Sequence, residues 1–112
     1  MVTHRSLHEL EDEQEQQRRI ARKRIEQAEE YIGHYRSRVD QVRESFYYFG
    51  VHTGVADDSG FREALQHASD IAHENVVFAG RKVGELEEEY DAMVREQSEV
   101  RERFIAVRDG LD

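Results

Sequence analysis

The sequence predicts an all-α fold: a long antiparallel two-helix hairpin, coiled-coil-like, that completes a bundle with a partner. Two observations carry this. Apolar positions recur in steps of three and four along two arms, and no stretch shows the two-residue alternation of a strand. The arms are rich in Glu, Gln, Arg and Ala, which are good helix formers, and the 112 residues include no Pro to break them. Between the arms lies the one glycine-dense, low-charge stretch, Gly50-Val51-His52-Thr53-Gly54-Val55-Ala56, followed by Asp57-Asp58-Ser59-Gly60.

The first helix is expected over about residues 6–49. Ser6-x-x-Glu9 reads as a capping box, in which the serine oxygen satisfies an orphan N–H of the first turn. The seam then runs through Leu7, Leu10, Gln14, Gln17, Ala21, Ile25, Ala28, Ile32, Tyr35, Val39, Val42, Phe46 and Phe49. Gly50 suits the C′ position, where glycine tolerates the left-handed conformation that ends a helix. A loop over 50–58 follows. The second helix is expected over about 59–109, capped by Asp57, Asp58 or Ser59 and closed by Gly110. Its seam is Phe61, Leu65, Ala68, Ala72, Val76, Ala79, Val83, Leu86, Tyr90, Met93, Gln97, Val100, Phe104, Val107 and Leu111. The whole chain, 1–112, is read as a single helical hairpin.

Charge supports folding the arms against each other. With the loop centred near residue 54 or 55, the basic block Arg18 to Arg24 faces Glu85, Glu87, Glu88, Glu89 and Asp91. The acidic block Glu9 to Glu15 faces a mixed stretch containing Arg95, Arg101 and Arg103. Exposed pairs contribute only ~0–1 kcal/mol each, but they select register and orientation.

Two helices bury one stripe each, and this chain has more apolar surface than that. Ile20, Tyr31, Tyr47, Tyr48, Ile71, Val77, Phe78, Val94 and Ile105 lie off the seam. The aromatics Tyr31, Tyr35, Phe46, Tyr47, Tyr48, Phe49, Phe61 and Phe78 crowd toward the loop, whereas Gln14, Gln17 and Gln97 make the far seam polar. The expectation is a tight aromatic end, a looser charged end, and surplus surface for another molecule. The candidate partner-binding residues are Phe46, Tyr47, Tyr48, Phe49, Phe61, Ile71 and Phe78. Small residues at Ala64, Ala68, Ala72, Gly80 and Gly84 would let another helix approach closely.

Composition narrows the function classes. Asp and Glu number 25 against 16 Lys and Arg, a net charge of −9, which argues against a general nucleic-acid binder. The absence of Cys removes disulfides and thiolate zinc sites. No apolar run approaches the ~20 residues of a membrane span, and none at the N-terminus resembles a signal peptide. The expectation is a soluble, cytoplasmic, non-enzymatic chain without cofactor or metal. His4 and His8 share a helical face at the very start of the first arm. Asp70-x-x-His73, with Glu29, Glu30 and Glu44 on the other arm, is a faint echo of diiron bundles, but the loop-centred register does not bring those residues opposite one another. Gly80-x-x-x-Gly84 lacks the Lys-Ser/Thr and the preceding strand of a phosphate loop.

A helical hairpin with Tyr48-Phe49-Gly50 at its bend resembles the WXG-type small proteins of type VII secretion, with Tyr in place of Trp. The chain is more similar to the small helical (Lap) partners of LXG-domain toxins in the type VIIb pathway. Three stretches carry the likeness: Leu10-Glu11-Asp12-Glu13-Gln14-Glu15-Gln16-Gln17, Ser45-Phe46-Tyr47-Tyr48-Phe49, and Val83-Gly84-Glu85-Leu86-Glu87-Glu88-Glu89-Tyr90. The resemblance implies an adaptor or targeting chaperone. It would bind the helical N-terminal domain of an LXG toxin together with a second small hairpin, in the cytoplasm or in company with the exported cargo. The export signal of that pathway, an aromatic followed at the fourth position by an acid, is missing: Tyr90 leads to Val94 and Phe104 to Arg108. A partner would supply it. The alternative is a self-associating structural coiled coil, a homodimeric four-helix bundle burying the same surface.

Overall fold

The computed structural model describes residues 6–110. Two helices account for nearly all of them: α1, Leu7–Thr53, and α2, Ser59–Arg108. Among the described residues there is no strand. The all-α, two-helix hairpin architecture expected from the spacing is therefore present.

The caps follow side-chain chemistry. Ser6 Oγ accepts the Glu9 N–H at 3.2 Å and its carbonyl accepts the Leu10 N–H, so Ser6 opens α1. Asp58 is the cap of α2: its Oδ1 accepts the Phe61 N–H at 2.9 Å and its carbonyl accepts the Arg62 N–H. Gly110, at φ +71°, closes α2.

The end of α1 differs from expectation. The helix runs through Gly50 to Thr53, and the left-handed residue is Gly54, at φ +79°. Gly50 serves packing instead: a Cβ there would lie 2.8 Å from Phe61 Cε1, so only a hydrogen lets the ring cross the helix. The turn is stitched by the Ala56 N–H to the Gly50 carbonyl and the Asp58 N–H to the Val55 carbonyl, both at 3.0 Å. Thr53 Oγ1 also donates to the Phe49 carbonyl, giving the last turn of α1 an extra bond.

The chain forms two compact units, one from the outer stretches up to Gln27 and from Gly84 onward, the other from Ala28–Val83. In the outer unit, Leu10, Gln14 and Gln97 are buried. Gln14 lies opposite Gln97, Arg22 opposite Tyr90 and Glu11 opposite Arg101. In the inner unit, Tyr35 lies opposite Asn75 and Gly50 against Phe61, with Val83 buried. These pairs centre the turn at residues 55–56, about one residue later than the charge argument placed it. Leu111 and His4 fall outside the described residues.

The expected tight aromatic end and loose polar end are reversed. Val42, Phe46 and Phe49 stand about half exposed, at 52%, 49% and 55%, whereas Gln14 and Gln97 are each at 6%. The reason is complementarity across the pair. Near the bend, Val42 and Phe46 stand beside Ala64 and Ala68, whose single methyls are too small to cover them. At the outer end each glutamine finds hydrogen-bond partners on the opposite helix, which removes the penalty for burying it.

Candidate functional site

The inner unit carries an apolar trough between its two helical stretches. It encloses about 460 Å³. Helix α1 supplies Tyr35, Val39, Val42 and Phe46, at steps of four, three and four. Helix α2 supplies Phe61, Ala64, Leu65, Ala68 and Ala72. Arg38, Arg43 and Ser69 stand at its edges. Phe49 continues the α1 stripe into a shallow recess shared with Val42, Ser45 and Phe46. The helical steps from Ala64 and Ala68 to Ile71 and Phe78 extend the α2 stripe on the same flank. Ile71 is 45% and Phe78 61% exposed, and Lys82 Nζ sits 5.4 Å from the Phe78 ring centroid. The opposite flank is different in kind: Arg36, Asp40, Arg43, Ser69 and His73 surround Val39, Ala72 and Val76 there.

The seven residues picked from the sequence thus separate. Phe46 and Phe61 line the trough, Phe49 adjoins it, and Ile71 and Phe78 lie along its flank. Tyr47 and Tyr48 do not join them. At 100° per residue they turn away from Phe46, and the Tyr48 ring rests against His52 with centroids 4.0 Å apart. Val42, Ala64 and Ala68 belong to the face although the sequence reading placed Val42 and Ala68 in the seam. The signal was available in the pairing of a large stripe with a small one.

The outer unit holds a polar clasp. Gln14 Nε2 donates to the Gln97 carbonyl at 2.8 Å, and Gln97 Nε2 donates back to the Gln14 carbonyl at 3.1 Å and to Gln17 Oε1 at 2.9 Å. Arg18 donates to Gln97 Oε1 at 2.9 Å and to Glu15 at 2.7 Å. Arg22 bridges Tyr90 Oη, at 3.1 Å, and Glu15, at 3.3 Å. The Arg18 hydrogen bond, with help from Arg22, holds the Glu15 carboxyl below its usual range. The Tyr90 hydrogen bond, with Glu15 adding, raises Arg22. Arg18, Arg19 and Arg22 therefore turn to Glu15 on their own helix, while Arg101 reaches across to Glu11 at 3.3 Å. This arrangement fixes register.

His8 contacts Asp12 at 3.3 Å on the exposed surface. Asp70 accepts a hydrogen bond from Gln66. Among the described residues no group of three or more His, Asp or Glu is placed to hold a metal ion, and no helix is long and apolar enough to cross a membrane. A Cβ at Gly80 or Gly84 would meet nothing within 4 Å. Comparison with protein families, with curated proteins and with solved structures finds no match. The fold and the face define a class, an antiparallel helical hairpin with an uncovered apolar flank.

Proposed function

We propose that this chain is a non-enzymatic adaptor that receives a helix of another polypeptide on the uncovered flank of residues 28–83. One observation carries the reading: Val42, Phe46, Phe49, Ile71 and Phe78 stand 45–61% exposed along two adjoining helical stripes. A contiguous apolar patch rimmed by polar residues is characteristic of an interaction surface. Each such side chain contributes ~1.5–3 kcal/mol on full burial. In its sharper form the partner is the helical N-terminal domain of an LXG-type toxin, bound with a second small hairpin and targeted for type VII secretion. The two-helix architecture and the three stretches that carry the resemblance support that form.

Purification of the tagged chain from its host, with the mass of each co-purifying component determined, tests the sharper form. A large protein with a helical N-terminus plus a second ~100-residue hairpin is the expected result; the chain alone would refute it. Ile71→Asp with Phe78→Asp tests the face. Both side chains are largely exposed, so helical circular dichroism should persist while partner binding is lost.

A further inference from the structure

The uncovered flank pairs a large stripe with a small one at matching levels. On α1, Tyr31, Arg38, Val42 and Phe49 follow at steps of seven, four and seven, which keep to one side of a helix. Tyr31 stands 74% exposed there. On α2 the flank holds Ala64, Ala68, Ile71 and Phe78, with Glu74 three residues after Ile71 and four before Phe78. The contacts of Tyr35 with Asn75 and of Gly50 with Phe61 fix which positions stand level. By that register Phe46 is level with Ala64, Val42 with Ala68, Arg38 with Glu74 and Tyr31 with Phe78, each to within about two residues. Among the described residues neither Arg38 nor Glu74 has an ion-pair partner.

We infer that a second copy of this chain covers the flank while no other partner is bound; this rests on the docking reading above, because the surface is the same. A two-fold rotation about an axis parallel to the helices lays α1 of each copy over α2 of the other, with both bends at one end. Each helical stretch then has only antiparallel neighbours, as in an up-down four-helix bundle. The stripes suit each other in this arrangement. Val42 and Phe46 of one copy come over Ala68 and Ala64 of the other, where single methyls leave the trough underfilled. Tyr31 meets Phe78 of the other copy, and Arg38 meets Glu74, twice over by symmetry. Bends at opposite ends would instead set large stripe on large and small on small. The area is sufficient. Tyr31, Val42, Phe46, Phe49, Ile71 and Phe78 together leave roughly 600 Å² open. A standard interface takes ~800 Å² from each side, and the alanines with the stems of Arg38 and Glu74 supply the rest.

Sedimentation of the full chain reads the copy number, and introduced cysteines read the arrangement, since the sequence has none. At about 100 μM the chain should sediment at twice its mass. Ile71→Asp with Phe78→Asp should return it to one copy while the helical circular dichroism is retained. Arg38→Glu should weaken the dimer about tenfold, and adding Glu74→Arg in the same chain should restore it. Val42→Cys mixed with Ala68→Cys should form a disulfide between the two variants faster than either forms one alone. A single copy at every concentration up to about 1 mM overturns the inference and leaves the docking reading standing. So does a dimer that survives Ile71→Asp with Phe78→Asp, or one whose disulfides form within each cysteine variant but not between them. The docking reading fails separately, when a partner recovered from the host still binds the chain carrying Ile71→Asp and Phe78→Asp.

Discussion

The glutamine clasp permits an unusual stability experiment. Gln14 and Gln97 touch, and contacting residues normally show strong coupling in mutant cycles. Here each side-chain amide donates to the other residue's backbone carbonyl, not to its side chain. Replacing either residue therefore leaves the other's acceptor in place. Gln97 makes three side-chain hydrogen bonds, to the Gln14 carbonyl, Gln17 and Arg18, whereas Gln14 makes one, to the Gln97 carbonyl. At a net ~1 kcal/mol per bond, Gln97→Leu loses about 3 kcal/mol and Gln14→Leu about 1. Burying leucine returns ~1.5–3 kcal/mol in each case. Gln97→Leu should thus be neutral to about 1.5 kcal/mol destabilising, and Gln14→Leu neutral to stabilising, with about 2 kcal/mol between them. The double variant should equal their sum to within about 0.5 kcal/mol. Urea unfolding followed by circular dichroism measures all three. A Gln14→Leu cost equal to or larger than that of Gln97→Leu, or a coupling above about 1 kcal/mol, would refute this account.

Other substitutions probe the remaining features. Asp58→Ala removes the α2 cap and should cost about 1 kcal/mol in a urea melt. Gly80→Ala fills open space on a helix surface and should stabilise by ~0.5–1 kcal/mol, visible as a higher Tm. Gly50→Ala has the opposite sign: displacing the Phe61 ring costs ~1–3 kcal/mol, more than the ~1 kcal/mol of helix propensity gained, so Tm should fall. Glu15 has a folded-state value lowered from 4.5, so its contribution is complete above that pH and fades as acid drives it through the folded value. Melting curves should show stability falling below about pH 4.5, and Glu15→Gln should flatten part of that fall.

Periodicity located the helices because it reports azimuth, and azimuth is what one stripe per helix requires. Leu10, Ala21, Ile25, Ile32 and Tyr35 all turn inward as their three- and four-residue steps demand. Depth was not legible in the same way. A Phe at a seam position looks buried in sequence, yet Phe46 is half exposed because its cover depends on which residues stand beside it across the pair, and those are alanines. Likewise Gln14 and Gln97 read as weak points, since hydropathy gives no credit for a carbonyl waiting on the opposite helix. Gly50 and Gly54 are both plausible helix terminators, and only the close approach of Phe61 distinguishes the packing glycine from the left-handed one. Of the candidate face, Phe46, Phe49, Phe61, Ile71 and Phe78 were recoverable from aromatic crowding and off-seam positions. Tyr47 and Tyr48 are off-seam aromatics as well, but at 100° per residue they point away from the side that Phe46 shares with the trough.

The reversed gradient of burial has a consequence for amide exchange and proteolysis. In most small domains the chain ends exchange first and central elements last. Here the clasp secures the outer stretches, while the bend sits on an underfilled trough. The last-exchanging amides should cluster around Leu10, Gln14 and Gln97, and the early ones around Phe46–Phe61. A protease should cut first near Gly54, and the two fragments should remain associated after the cut, held by the hydrogen bonds between Gln14 and Gln97.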